Sequence, residues 1–233
     1  GRTTPMQRKQ FLRLMAASLG GAALAPLLTA CGGGDEALVD ASTSSTAASA
    51  SATGSATEED LSAEEIAGLL FMREEEKLAH DVYVALFNVW GAQVFANIAD
   101  SETEHTEAIR QLILSHGLPD PAATTAPGVF VNTELQALYD QLVAMGQPSL
   151  IEALKVGCLI EEKDIQDIND KKTLVLDEPD IVQVYDHLLC GSRNHLRAFN
   201  SNLLQQGVTY VPQVITQAEW DAIANAAEET CGG

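Results

Sequence analysis

Six ionisable side chains fall where a helical chain would bury them. On a wheel of about 100° per residue, Glu76 shares a face with Leu69, Met72, Ala79, Tyr83 and Phe87. Glu102 and His105, spaced Glu-x-x-His, share one with Ile98, Ile109 and Ile113. Glu161 lies with Leu154, Ile165 and Ile168, with Asp164 one turn on, and His195 lies with Val184, Leu188 and Phe199. Burying several carboxylates is costly unless a cation neutralises them. A hard divalent metal, bridged by carboxylates and completed by imidazole nitrogen, is the chemistry this set fits. The wheel alone leaves one position open, because Glu75 falls beside Met72, Ala79 and Val82.

Helices must position these groups, and the punctuation of the chain supplies them. Ser62 with Glu65, Ser149 with Glu152 and Thr216 with Glu219 each have capping-box spacing ahead of an apolar periodic segment. The pattern predicts long helices over Ala63 to Val89, ending at Gly91, and Val94 to Ser115, with Gly117 as the stop. A Pro- and Gly-bearing connection follows, then a short helix from Glu134 to Met145 ending at Gly146. Two more long helices are predicted over Leu150 to Asn169 and Pro179 to Gln206, the latter with proline in the favoured first turn. Val208 to Ile215 reads as extended, and a short helix from Gln217 to Glu229 finishes the chain. Four long helices with one long connection in the middle describe an all-α four-helix bundle.

Of 233 residues, 33 are acidic and 13 basic, a formal net charge of −20, and 46% are hydrophobic. Such a polyanion is a poor ligand for nucleic acid or an anionic membrane surface through its own charge. The charge is unevenly spread. Residues 1–30 hold Arg2, Arg8, Lys9 and Arg13, no acid, and then an apolar run from Leu14 to Leu28. That is the pattern of an export signal, and it is short for a membrane span. Leu28-Thr29-Ala30-Cys31 resembles the lipobox of bacterial lipoproteins, which implies lipidation of Cys31 and an anchor in the cell envelope, on the periplasmic side or at the outer membrane. Membrane contact would come through that lipid alone. Gln7 to Arg13 is similar to a twin-arginine signal with Lys9 in place of the second arginine, so general and twin-arginine export both stay open. Residues 31–57, almost all Gly, Ala, Ser and Thr after the cysteine, read as a disordered tether. The folded domain is expected over 58–233.

Glu76-Lys-Leu-Ala79-His-Asp-Val-Tyr83 resembles the first helix of rubrerythrin-type ferritin-like proteins, and Glu102-Thr-Glu-His105 resembles the Glu-x-x-His of their second. Glu161-Glu-Lys-Asp164 is similar to their third helix, and Asn194-His195-Leu-Arg-Ala-Phe199 to their fourth. Residues 62–206 together resemble a ferritin-like domain of unknown function, number 2202, whose members carry similar Met-Arg-Glu-Glu-Glu-Lys and Asn-His-Leu-Arg-Ala-Phe segments. The resemblance implies a ferritin-like four-helix bundle with an extra short helix in the second-to-third connection and a short C-terminal helix. It selects Glu76 over Glu75 and implies a metal set of Glu76, Glu102, His105, Glu161 and His195, with Asp164 as a sixth ligand. It also implies iron, as two ions or one, with manganese or zinc as alternatives, and oxygen or peroxide as the reacting partner. Tyr83 would point near the site. One departure stands out: the fourth-helix pattern has Glu three residues before the histidine, and this chain has Ser192.

Plainer readings accompany each group. A run such as Glu74-Glu75-Glu76 is usually a solvated face, and His80, His116 and His187 read as hydrogen-bonded structural residues. Arg193 and Arg197 are placed to neutralise buried acids without any metal. With Glu161 level with His195 on antiparallel helices, Cys158 and Cys190 lie roughly 12 Å apart along the axis, too far for a disulfide, while Cys231 can reach one of them. Two function classes follow: an envelope-anchored metal protein with ferroxidase or peroxide-reducing chemistry, or a metal-free bundle serving as a binding or structural module. The sequence leaves the oligomeric state open, a dimer included.

Overall fold

The computed structural model describes residues 61–231, so the export signal, Cys31 and the tether lie outside the described residues. Six helices form there: α1 (Ala63–Trp90), α2 (Gln93–Ser115), α3 (Thr133–Gly146), α4 (Leu150–Lys172), α5 (Pro179–Gln205) and α6 (Gln217–Ala224). The described chain contains no strand. Gly91, at φ 62°, ends α1 in the left-handed conformation and donates its N–H to the Phe87 carbonyl at 2.7 Å. Only Gly91 and Ala92 separate α1 from α2, so the chain reverses at once and the two helices pack along their lengths. α4 and α5 form a second such pair; α1 packs on α4 and α2 on α5, while α3 lies against α1 and α4, and α6 against α5. The apolar faces meet at Leu69, Met72, Tyr83, Phe95, Ile109, Ile113, Leu154, Tyr185, Leu188 and Phe199, all essentially inaccessible.

Where the punctuation misleads, a tertiary partner is the reason. Ser62 with Glu65 and Thr216 with Glu219 close both arms of their capping boxes. Ser149 accepts from the Glu152 N–H, but the Glu152 carboxylate turns instead to Lys155 at 2.8 Å, so that box is half made. Gly146 does not stop α3 by a left-handed turn; it lies within the last turn, where a side chain would strike Leu86, and its carbonyl accepts from the Trp90 indole at 2.9 Å. Residues 208–215 form no strand, and α6 ends at Ala224, short of the expected Glu229. The segment beyond α6 is drawn off the helix axis by a two-ended bond between the Asn194 amide and the Glu229 backbone, and by the Cys190–Cys231 disulfide. Cys158 is free and buried.

The acidic run on α1 is no solvated face, for Glu74, Glu75 and Glu76 are all buried. Each neighbour of Glu76 on that stretch grips something different. Arg73 donates to Asp120 at 3.1 Å, Glu74 accepts the N–H groups of Val131 and Asn132 at 2.5 and 2.9 Å, and Lys77 donates to the Ala126 carbonyl at 3.0 Å. On α4, Glu162 accepts the N–H groups of Gln213, Val214 and Ile215. These charges fasten the 118–132 and 208–216 segments to the helices.

Asp81 gives the first test of this scheme. It accepts from Lys77 at 2.6 Å and from the Gly128 N–H at 2.8 Å, with His80 Nδ1 2.9 Å away. Burial alone would raise its pKa, but His80, Lys77 and the Gly128 N–H together hold it below the ordinary 3.8. A lowered carboxylate pKa means stability that is present above the unfolded value and is lost as pH falls through the folded one. Asp81→Asn is expected to cost about 1.5–3 kcal/mol at neutral pH. The difference from wild type should close at pH values below 3.8, as read by urea unfolding.

Candidate metal centre

Glu102, on the buried face of α2, is the hub of the interior charges. Its Oε2 lies 3.1 Å from Nδ1 of His105, one turn along the same helix. Its other oxygen, Oε1, lies 2.9 Å from Nδ1 of His195 on α5. Each histidine then meets a second acid. Glu76 of α1 brings Oε2 to 3.2 Å from His105 Nδ1, and Glu161 of α4 brings Oε2 to 3.5 Å from His195 Nδ1. The arrangement is two histidines, each beside one acid of its own, joined by the single carboxylate of Glu102.

Surrounding groups fix these side chains. The Tyr83 hydroxyl donates to Glu161 Oε1 at 2.5 Å, and its ring is wedged against Phe95 and Phe199. Ser101 Oγ lies 2.9 Å from His195 Nε2 and thereby turns Nδ1 inward. The Ser192 hydroxyl bonds to Asp164 Oδ2, with the Leu188 carbonyl 2.9 Å away. Ser192 therefore does not leave a gap where an acid was expected; it holds an acid supplied by α4. The His105 and His195 rings lie 5.3 Å apart, tilted by 30°.

The electrostatics follow from crowding acids where water cannot reach. Burial pushes Glu76 up to about 7 against the pull of His105, and raises Glu161 against the pull of His195. Asp164 is raised well above the carboxylate range by burial, then by Glu76, Glu102 and Glu161. Burial acts on Glu102 in the same direction, but the two histidines outweigh it and hold that carboxyl well below the usual range. Burial would depress the histidines, yet Glu102 and Glu76 raise His105 well above its ordinary value, and Glu161 and Glu102 raise His195 to about 9. Burial, then Glu161, raises the Tyr83 hydroxyl. Four acids and two imidazoles in one dry volume retain negative charge unless protons or cations enter it.

The donor set is one that either protons or cations can neutralise. Glu76 Oε1 and Asp164 Oδ1 are buried without a hydrogen-bond partner of good geometry, as are both oxygens of Glu75, and His195 Nδ1 lies 2.9 and 3.5 Å from the Glu102 and Glu161 carboxylates. Buried polar atoms left without partners are unusual and call for an explanation. Glu102, His105 and His195 each place a donor atom within 4.8 Å of the others, the spacing of groups able to share an ion.

Measured against the sequence, the structure gathers Glu76, Glu102, His105, Glu161, Asp164 and His195 around one volume. Glu75 faces Lys163 at 4.0 Å, whereas Glu76 faces His105 at 3.2 Å. Arg193 and Arg197 do not neutralise the interior acids; both reach the Glu229 carboxylate, at 2.5 and 2.8 Å. His80 and His116 pair with Asp81 and Asp180. Ser101 went unremarked in the sequence, because a half-buried serine beside a glutamate carries no signal until the partner helix is placed.

Comparison with known proteins agrees with this architecture. Residues 65–227 match the family described as Uncharacterized protein domain (DUF2202). An uncharacterised protein of Methanocaldococcus jannaschii, MJ0754, is 45% identical over 169 residues, spanning 72% of this chain and 91% of that protein. The crystal structure of the hypothetical protein MJ0754 superposes with a TM-score of 0.72 at 43% identity, covering 76% of this chain and 100% of that one. An all-helical chain with this match over most of its length is a member of the DUF2202 family.

Proposed function

We propose that this chain is a ferritin-like four-helix bundle, built on α1, α2, α4 and α5, that binds two cations in a carboxylate and histidine centre. The observation that carries the reading is Glu102, whose two oxygens face two different histidines, each of which has a further acid of its own. His105 and Glu76 would hold one ion, His195 and Glu161 the other, with Glu102 shared. Asp164, held by Ser192, would supply the remaining charge. Iron is the first candidate by this donor chemistry, with manganese or zinc as alternatives. When bound, a ferrous pair supplies the two electrons that reduce dioxygen or peroxide, which is ferroxidase or peroxidase chemistry.

The chain's own residues then have defined tasks. Tyr83 keeps one oxygen of Glu161 occupied, so that its Oε2 faces the centre. Ser101 holds Nε2 of His195, leaving Nδ1 as the donor to the ion. Glu76, Glu102, His105 and Glu161 are each at most 2% exposed, which keeps bulk water out and favours reactants the size of oxygen or peroxide. Export as a lipoprotein through Cys31 completes the proposal, and the Cys190–Cys231 disulfide supports an oxidising compartment.

Elemental analysis of protein purified without a polyhistidine tag and reconstituted anaerobically with ferrous iron tests the reading. About two equivalents per chain are expected. Less than about a tenth of an equivalent of iron, manganese or zinc would leave the metal-free bundle as the function class.

A further inference from the structure

The geometry points to Gly191 as a positioning residue for the ligand face of His105, an inference that rests on the proposed metal centre. Gly191 lies in the interior of α5, buried, with helical backbone. Its conformation does not call for glycine, since it is absent from the positive-φ glycines. In a helix interior glycine is a poor choice on propensity alone, and alanine the best one. What requires glycine is the neighbouring helix: a Cβ at position 191 would overlap Nε2 and Cε1 of the His105 ring. The bare Cα of α5 is the floor on which that imidazole lies.

The floor decides which nitrogen faces the acids. With the Nε2 edge seated against α5, the Nδ1 edge is left pointing at Glu76 and Glu102, at 3.2 and 3.1 Å. His187 meets the ring edge-on at 6.1 Å between centroids, and His195 lies 5.3 Å away. A methyl group at position 191 would displace the ring from the seat in which its Nδ1 faces Glu76 and Glu102. Gly157 shows the same device used for packing alone, since a Cβ there would strike the ring of Phe199. Gly191 differs in seating a candidate ligand.

The test uses the sign of a stability change, then metal content. In the metal-free protein, Gly191→Ala is expected to lower Tm, because the clash with His105 outweighs the gain in helix propensity. Placed on His105→Ala, the same substitution is expected to raise Tm, because the ring is gone and only the propensity gain remains. After reconstitution with ferrous iron, Gly191→Ala should lose about one of the two equivalents, the one at His105, and keep the one at His195. A rise in Tm in both backgrounds, or full metal content in Gly191→Ala, would overturn the inference. A wild-type protein that takes up no metal would instead overturn the metal centre, and the Tm sign would still decide whether Gly191 seats the ring.

Discussion

Glu102→Ala is expected to empty both halves of the centre together. Glu102 lies within reach of both histidines, so its removal would take a donor from each proposed ion at once. Loss of outer-shell partners of metal ligands alone weakens affinity by roughly 10–100-fold, so loss of a shared ligand should exceed about 100-fold at each position. The fold should survive. Each histidine keeps its second acid, His105 facing Glu76 and His195 facing Glu161, so neither is left as an unpaired buried cation. The expected stability cost is about 1–3 kcal/mol, the range for a lost charged hydrogen bond in the interior. Iron titration followed by elemental analysis checks the first part, and urea unfolding of the metal-free protein checks the second. Retention of one tightly bound ion would mean that Glu102 is not shared and that the half-sites are independent.

Phe199→Ala should show the opposite balance. Phe199 is fully buried on α5, its ring 5.1 Å from Tyr83 and 5.4 Å from Phe95, in the space that Gly157 leaves open. The three rings join α5, α1 and α2 at one end of the ligand cluster. Truncation to alanine removes apolar contacts and leaves a cavity, at a cost of about 3–5 kcal/mol. For a chain of this size that corresponds to a drop in Tm of roughly 10 °C. Below the transition, the ligands remain on their helices and metal content should stay near the wild-type value. Phe199→Ala and Glu102→Ala thus separate stability from binding, and calorimetry beside elemental analysis on both variants reads the separation. Equal metal loss in both would mean that the centre reports packing rather than ligand identity.

The long helices were legible in the sequence because their determinants are local. Ser62 caps through a residue three positions away, Gly91 turns within its own backbone, and the apolar spacing of α1, α2, α4 and α5 needs no partner to be recognised. The buried cluster of acids and histidines was legible for a related reason: Glu102 and His105 are one turn apart, and the acids of α1 and α4 interrupt otherwise apolar faces. What stayed hidden depends on contacts distant in sequence. Arg73 and Glu74 look like surface charges until the segment from Asp120 to Asn132, between 47 and 58 residues away, folds over them. Gly146 and Gly191 look like helix stops or weak points until Leu86 and His105 arrive from other helices. The end of α6 could not be read because Glu229 and Cys231 are held by groups on α5.

Glu76 and Glu161 sit beside residues whose grip is on loops rather than on the centre. Arg73, Glu74 and Lys77 clasp the 118–132 segment, and Glu162 clasps residues 213–215. The two loops therefore act as rulers for helix register. Were α1 or α4 to slide or turn by one residue, the apolar faces could still find acceptable partners, since a bundle interface is tolerant of small shifts. The clasps could not, because each carboxylate would face the wrong backbone N–H. A fault of alignment that would quietly misplace Glu76 or Glu161 is converted into visible unravelling at the surface, and the registry of an interior centre is enforced from outside it.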